Sequence, residues 1–185
     1  GEPSNYFGFE KVFAENEDGS TTSKHIKYVE DHCVDPEDLK CKVGWIPPLH
    51  KTNHIPVSED GEVIPPSLRE AIYEFIIVST LRNLRGQFTH HKSMLIHVSR
   101  LTDVNHLVHK QVYKELENIK SILNNPGEIQ NAVSIYKFES IYNYLRKLGI
   151  DKEFSFKDIL NHEHGLRYIT AQASINLKLL TNLKN

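Results

Sequence analysis

Ser99, Arg100 and Thr102 stand directly after an apolar run, Met94-Leu95-Ile96-His97-Val98, and directly before a long amphipathic stretch. Within four residues they offer two hydroxyls and a guanidinium. In open α/β sheets ligands bind beyond the carboxyl ends of strands, where the following helix presents free amide donors and the positive end of its dipole. That set suits a phosphate. A plainer role is open to the same residues: Thr102 or Asp103 caps the helix, Arg100 pairs with a carboxylate, and His97 is a hydrogen-bonded core side chain. Asp103 at the helix start also works against an anion. Arg82 and Arg85, just ahead of Gly86, are secondary basic candidates.

Other chemistries find weaker footing. Cys33, Cys41, His50 and His54 form a C-x7-C-x8-H-x3-H series of zinc-competent ligands. Zinc knuckles use a tight C-x2-4-C pair so that one turn presents two thiolates, and this spacing is too wide for that. No metal site is therefore assigned. His106 and His109, and His162 and His164, read as solvated. Metal-dependent phosphodiester cleavage needs clustered carboxylates with a lysine; Asp38-Leu39-Lys40, with Asp18 or Asp31 upstream, lies in loop-like sequence. There is no G-x-S-x-G elbow, no G-x-x-x-x-G-K-[ST] and no G-x-G-x-x-G, so the chain alone is expected neither to hydrolyse ATP nor to carry a catalytic residue.

The elements that must position Ser99 to Thr102 follow from periodicity. Met94 to Val98 reads as a buried strand of the parallel-sheet kind, with His97 as a core residue. A helix after it carries Val104, Val108, Val112, Leu116, Ile119 and Leu123, and stops at Asn125-Pro126-Gly127. Upstream, a helix over 68–85 is apolar on two faces, opened by a Ser67–Glu70 capping box and stopped by Gly86 in the left-handed region. A third helix spans 128–148 with Gly149 as its cap, and Ser155 to Asp158 opens a short fourth one. Over 168–179 the apolar residues alternate, which predicts a half-exposed strand. The fold class expected is α/β, a strand-helix unit with a helical insertion.

The 185 residues allow one sizeable core with a lead-in. Residues 1–62 carry 13 acidic and 6 basic side chains, net −7, in turn-rich sequence, and form an irregular acidic arm; residues 63–185, net +5, form the domain. That modest excess permits a polyanion partner without demanding one. No run approaches the roughly 18 apolar residues of a membrane span, and the polar, aromatic start resembles no signal peptide. A cytoplasmic protein is expected, and a start without Met reads as a segment of a longer chain.

Three stretches resemble the Z1 domain: Pro66-Ser67-Leu68-Arg69-Glu70-Ala71-Ile72, Leu81 to Gly86, and Ser93-Met94-Leu95-Ile96-His97-Val98-Ser99-Arg100 followed by Thr102-Asp103-Val104. That domain belongs to proteins of prokaryotic restriction and phage-defence systems that are classed as endonucleases and linked to superfamily-two helicase-like ATPases. The resemblance implies that strand 94–98 opens a second RecA-like lobe whose following loop touches nucleic-acid backbone. It further implies DNA and the remaining lobes of the parent protein as partners. ATP and Mg are implied as cofactors of the parent only, because the phosphate-binding lobe and the arginine-bearing motifs lie outside these residues. The expected function is thus a fragment of an ATP-dependent, restriction-associated DNA-processing hydrolase, with Ser99, Arg100, Thr102, Arg82 and Arg85 as phosphate or inter-lobe contacts. The alternative is a non-catalytic helical interaction module.

Overall fold

The computed structural model describes residues 44–57, 64–125, 133–149 and 151–178, all within one compact unit, Asp31–Asn185. Among them the helices are α1 (Pro66–Leu84), α2 (Thr102–Asn124), α3 (Val133–Lys147), α4 (Phe156–Asn161) and α5 (Leu166–Asn176). No strand or sheet occurs among the described residues, so the chain is helical and the expected α/β, RecA-like strand-helix unit is overturned.

Helix α1 is central because its sequence is apolar almost all the way round. Ile72, Tyr73, Ile76, Ile77 and Leu81 are all buried, and the helix packs against α3, α4 and α5. It starts at Pro66, where proline's fixed φ suits the first turn. Its N-cap is Pro65, which makes no side-chain cap bond, and Ser67 lies inside the first turn instead of at the N-cap position expected for it. Its stop is as expected: Gly86 has φ +79° and donates its N–H to Asn83 O at 2.8 Å, and Gln87 N–H donates to Arg82 O at 2.9 Å.

Helix α2 is amphipathic, and the six side chains predicted to face inward, from Val104 to Leu123, are all buried. Each such residue stabilises the fold by about 1.5–3 kcal/mol through area removed from water. A polar node ties α2 to α1: Glu115 Oε1 accepts from Arg69 Nε at 3.1 Å and from Tyr73 Oη at 3.2 Å. Beyond it the Tyr73 ring stacks on Phe138 of α3, centroids 4.4 Å apart. The expected start of α3 near Glu128 lies outside the described residues, whereas Gly149 at φ +80° follows its end as predicted. Helix α4 opens on a reciprocal capping box, with Ser155 Oγ accepting from Asp158 N–H and Asp158 Oδ2 accepting from Ser155 N–H at 2.7 Å.

Two segments expected as strands behave otherwise. Residues 166–176 form helix α5, whose inner face is Leu166, Ile169, Thr170 and Ser174, with Ala173 and Leu177 half-buried. These positions follow helical spacing, but Thr170 and Ser174 are polar, so the apolar letters alone trace an alternation. Met94 to Val98 is extended, with no strand beside it. Met94, Ile96 and Val98 pack on the helical core, whereas Leu95 is 74% exposed and His97 is exposed. His97 is therefore not a core residue, and one face of the segment, not two, is covered.

The lead-in 44–57 has no helix, and side-chain hydrogen bonds fasten it to α2. Buried Trp45 donates its Nε1–H to Gln111 Oε1 at 3.3 Å, and Gln111 Nε2 donates to Pro56 O at 2.7 Å. His54 Nε2 donates to Trp45 O at 2.7 Å.

Candidate functional site

The turn between the extended segment and α2 is held from behind by His50. Its Nδ1 faces Pro47 O at 2.8 Å, and since a carbonyl only accepts, that nitrogen carries the proton. In the neutral ring Nε2 is then an acceptor, and Ser99 Oγ–H donates to it at 2.6 Å. Ser99 Oγ also accepts the Leu101 N–H at 3.0 Å, and Ser99 O accepts from Asn105 Nδ2 at 2.6 Å. Ser99 is buried, with its one hydroxyl proton already committed. It organises the turn that leads into α2.

Arg100 and Thr102 are placed differently. Both are exposed, and among the described residues Arg100 has no ion-pair or hydrogen-bond partner. With Ser99 they line a cavity of about 490 Å³ that also receives His97, His109 of α2 and Lys178. Among the described residues no carboxylate lines it, although Asp103 lies exposed in the first turn of α2. Its polar wall is thus all neutral or cationic, and its floor includes Val108 and Val112. Such a concave site beside a helix N-terminus, with a free guanidinium at the mouth, is suited to an anionic group carried on an apolar body.

Arg82 and Arg85 do not join this site. Arg82 Nε donates to Gln87 Oε1 at 2.9 Å and its Nη1 to His91 O at 3.3 Å, which shapes the loop after α1. Lys92 lies in the same loop. Partial burial, and then the repulsion of the Arg82 guanidinium, draw its ammonium below the ordinary lysine range. Arg85 Nη2 pairs with Asp151 Oδ1 at 2.8 Å, and Asp151 is buried. Both arginines hold the fold together.

Three participants escaped the sequence reading. His97 was assigned to the core; the polar residues flanking the run it sits in were the only hint that one face is open. His109 falls one helical turn after Asn105, so the i, i+4 spacing from the turn was a usable signal. Lys178 comes from beyond α5 and has no local signal at all. Among the described residues no three His, Cys, Asp or Glu gather as a metal site. Cys33 and Cys41 of the zinc-competent series lie outside the described residues, as do Asp18, Asp31 and the Asp38-Leu39-Lys40 stretch.

The family model of the Z1 domain matches residues 67–177, from the first turn of α1 to the end of α5. The chain belongs to the Z1 domain family. Every helix described above falls inside the match save Pro66 at the start of α1, as do Ser99, Arg100, Thr102, Asn105 and His109. His50, which anchors Ser99, lies well before the match of this Z1 domain, and Lys178, which lines the cavity, lies one residue after it. No curated protein and no solved structure matches the chain.

Proposed function

We propose that this Z1 domain is a nucleic-acid-contacting part of a longer, restriction-associated DNA-processing protein of the endonuclease-linked kind, and that it carries no complete active site itself. Arg100 and Thr102 meet a backbone phosphate at the N-terminus of α2, while Ser99 and His50 hold the turn that aims them. The observation that carries this reading is the exposed Arg100, without a partner among the described residues, at the mouth of a cavity that no described carboxylate lines. ATP and Mg serve the parent protein elsewhere, as the family resemblance implies, and the setting is cytoplasmic. No described helix is long and apolar enough to cross a membrane.

The reading is tested by DNA binding across a salt series. A phosphate contact contributes about 0.9 to the slope of log K against log salt, so Arg100→Ala is expected to flatten the slope by that amount with the fold intact. An unchanged slope sinks the phosphate site. The helical fold favours a second reading, a non-catalytic interaction module, and that reading gains if the wild-type chain shows no DNA affinity at low salt.

A further inference from the structure

A second cavity, of about 270 Å³, lies between the C-terminal half of α1, the loop after it and α5. It shares no lining residue with the first. Phe88 of the loop and Tyr168 of α5 are large aromatic side chains left 52% and 42% exposed. They are linked through one ring, His164, which meets Phe88 edge-on at 4.9 Å and Tyr168 edge-on at 5.1 Å between centroids. Exposed apolar side chains gathered in one place, unlike those scattered singly, mark a surface that meets a ligand or partner.

The described polar lining carries one formal charge, that of Lys92. His90, His91 and Lys92 stand in succession along one rim, and among the described residues no carboxylate lines the cavity. Lys92 Nζ donates to Gln87 O at 2.9 Å and His90 O at 3.3 Å, so one of its three N–H groups remains to be used. Asn83, from α1, also lines the cavity and is only 2% exposed. Its Nδ2 donates to His164 O at 3.3 Å, and its Oδ1 has no partner. Turning the amide over would set two acceptors against each other, so this orientation is fixed by chemistry. Asn83 Oδ1 is thus a buried acceptor without a donor, shut off from the open space of the cavity.

Aromatic faces to stack on and a cation beside them to take the adjoining phosphate are what an unpaired nucleotide uses. The volume sits just below the roughly 300–1,000 Å³ of pockets for drug-sized ligands, which fits one base and excludes a duplex. We infer that this cavity is a stacking site for an unpaired base of single-stranded nucleic acid, with Phe88 and Tyr168 as the platform and Lys92 on the adjoining phosphate. The inference shares its ligand class with the proposed function and nothing else; its residues and its readout are separate.

The experiment compares anisotropy of a labelled deoxyoligonucleotide, an abasic oligonucleotide with the same number of phosphates, and a duplex. Stacking is worth about 1–3 kcal/mol per base, so Phe88→Leu with Tyr168→Leu should weaken binding of the base-bearing strand by roughly 5- to 150-fold. Binding of the abasic strand, and the salt slope on both strands, should not change. Phe88→Trp should retain or strengthen binding, which separates loss of a π face from loss of packing against His164. Equal loss on the abasic strand, failure of the tryptophan to restore what leucine removes, or no affinity for the base-bearing strand at low salt overturns the inference. Arg100→Ala acts on the slope for every substrate, duplex included, so either site can fail while the other stands.

Discussion

Replacing Arg85 with alanine tests whether its guanidinium is structural, as its geometry says, or a nucleic-acid contact, as its sequence allows. Asp151 is 2% exposed, and its carboxylate takes Arg85 Nη2 at 2.8 Å, Phe154 N–H at 3.2 Å and Glu153 N–H at 3.4 Å. The two amide bonds are long, so the guanidinium is the main compensation for a buried negative charge. Breaking a fully buried pair by removing one partner destabilises by about 3–5 kcal/mol. The Arg85 side chain is 35% exposed, so water replaces part of the loss, and a figure near the middle of the ~1–3 kcal/mol for an unsatisfied buried acceptor is more apt. For a chain of this size that lowers Tm by about 4–8 °C. Thermal melting by circular dichroism reads it directly, with Arg100→Ala as the control, since an exposed, unpartnered side chain changes stability by no more than about 0.5 kcal/mol. A Tm for Arg85→Ala equal to wild type, accompanied by a flattened salt slope, would refute the assignment and return Arg85 to the contact surface.

Two further outcomes follow from local geometry. A methyl group added at Gly165 would stand 2.3 Å from Ile159 O and 2.8 Å from His162 O, both backbone atoms that cannot swing aside, so Gly165→Ala should destabilise by about 1–3 kcal/mol in a chemical denaturation curve. Glu117 is held below the ordinary carboxyl range chiefly by the Ser174 hydroxyl and then by Lys120, and Asp158 chiefly by the Ser155 hydroxyl and then by its backbone N–H. A depressed folded pKa contributes stability above the unfolded value of about 4, lost as pH falls through the folded one. Melting at pH 7 and pH 3 should therefore show Ser174→Ala and Ser155→Ala destabilising less at the lower pH than at the higher, with Ser155→Ala keeping at both the loss of its cap on Asp158 N–H.

The helices that proved easy to read are those whose buried face is made of apolar letters. All six inward positions of α2 were legible, as were the two-sided burial of α1 and its glycine stop. Helix α5 was misread because Thr170 and Ser174 occupy its inner face while Ile175 is 72% exposed, so hydrophobicity and burial part company. The Met94 to Val98 run was legible as extended chain. Its lack of a pairing strand was not, because sequence periodicity reports which faces are covered and never by what. The turn at Ser99 was found as a location, but its anchor, His50, lies 49 residues upstream, and Arg82 and Arg85 owe their partners to contacts that no local pattern encodes.

The clamp on Ser99 has an entropic consequence for whatever meets Arg100. Hydrogen bonds of Ser99 with His50, Leu101 and Asn105 fix the residue just before Arg100, whose guanidinium has no partner among the described residues, and α2 fixes the chain two residues after. Ordering a loose loop residue on binding would forfeit roughly 1–2 kcal/mol of backbone entropy for each residue, besides the side chain's own share. Here the backbone share has already been met in folding, and only the rotamers of Arg100 remain to be chosen. A ligand at this turn thus finds a mount that is rigid and an arm that is not, so the affinity it gains from the charge is opposed by little more than the freezing of one side chain.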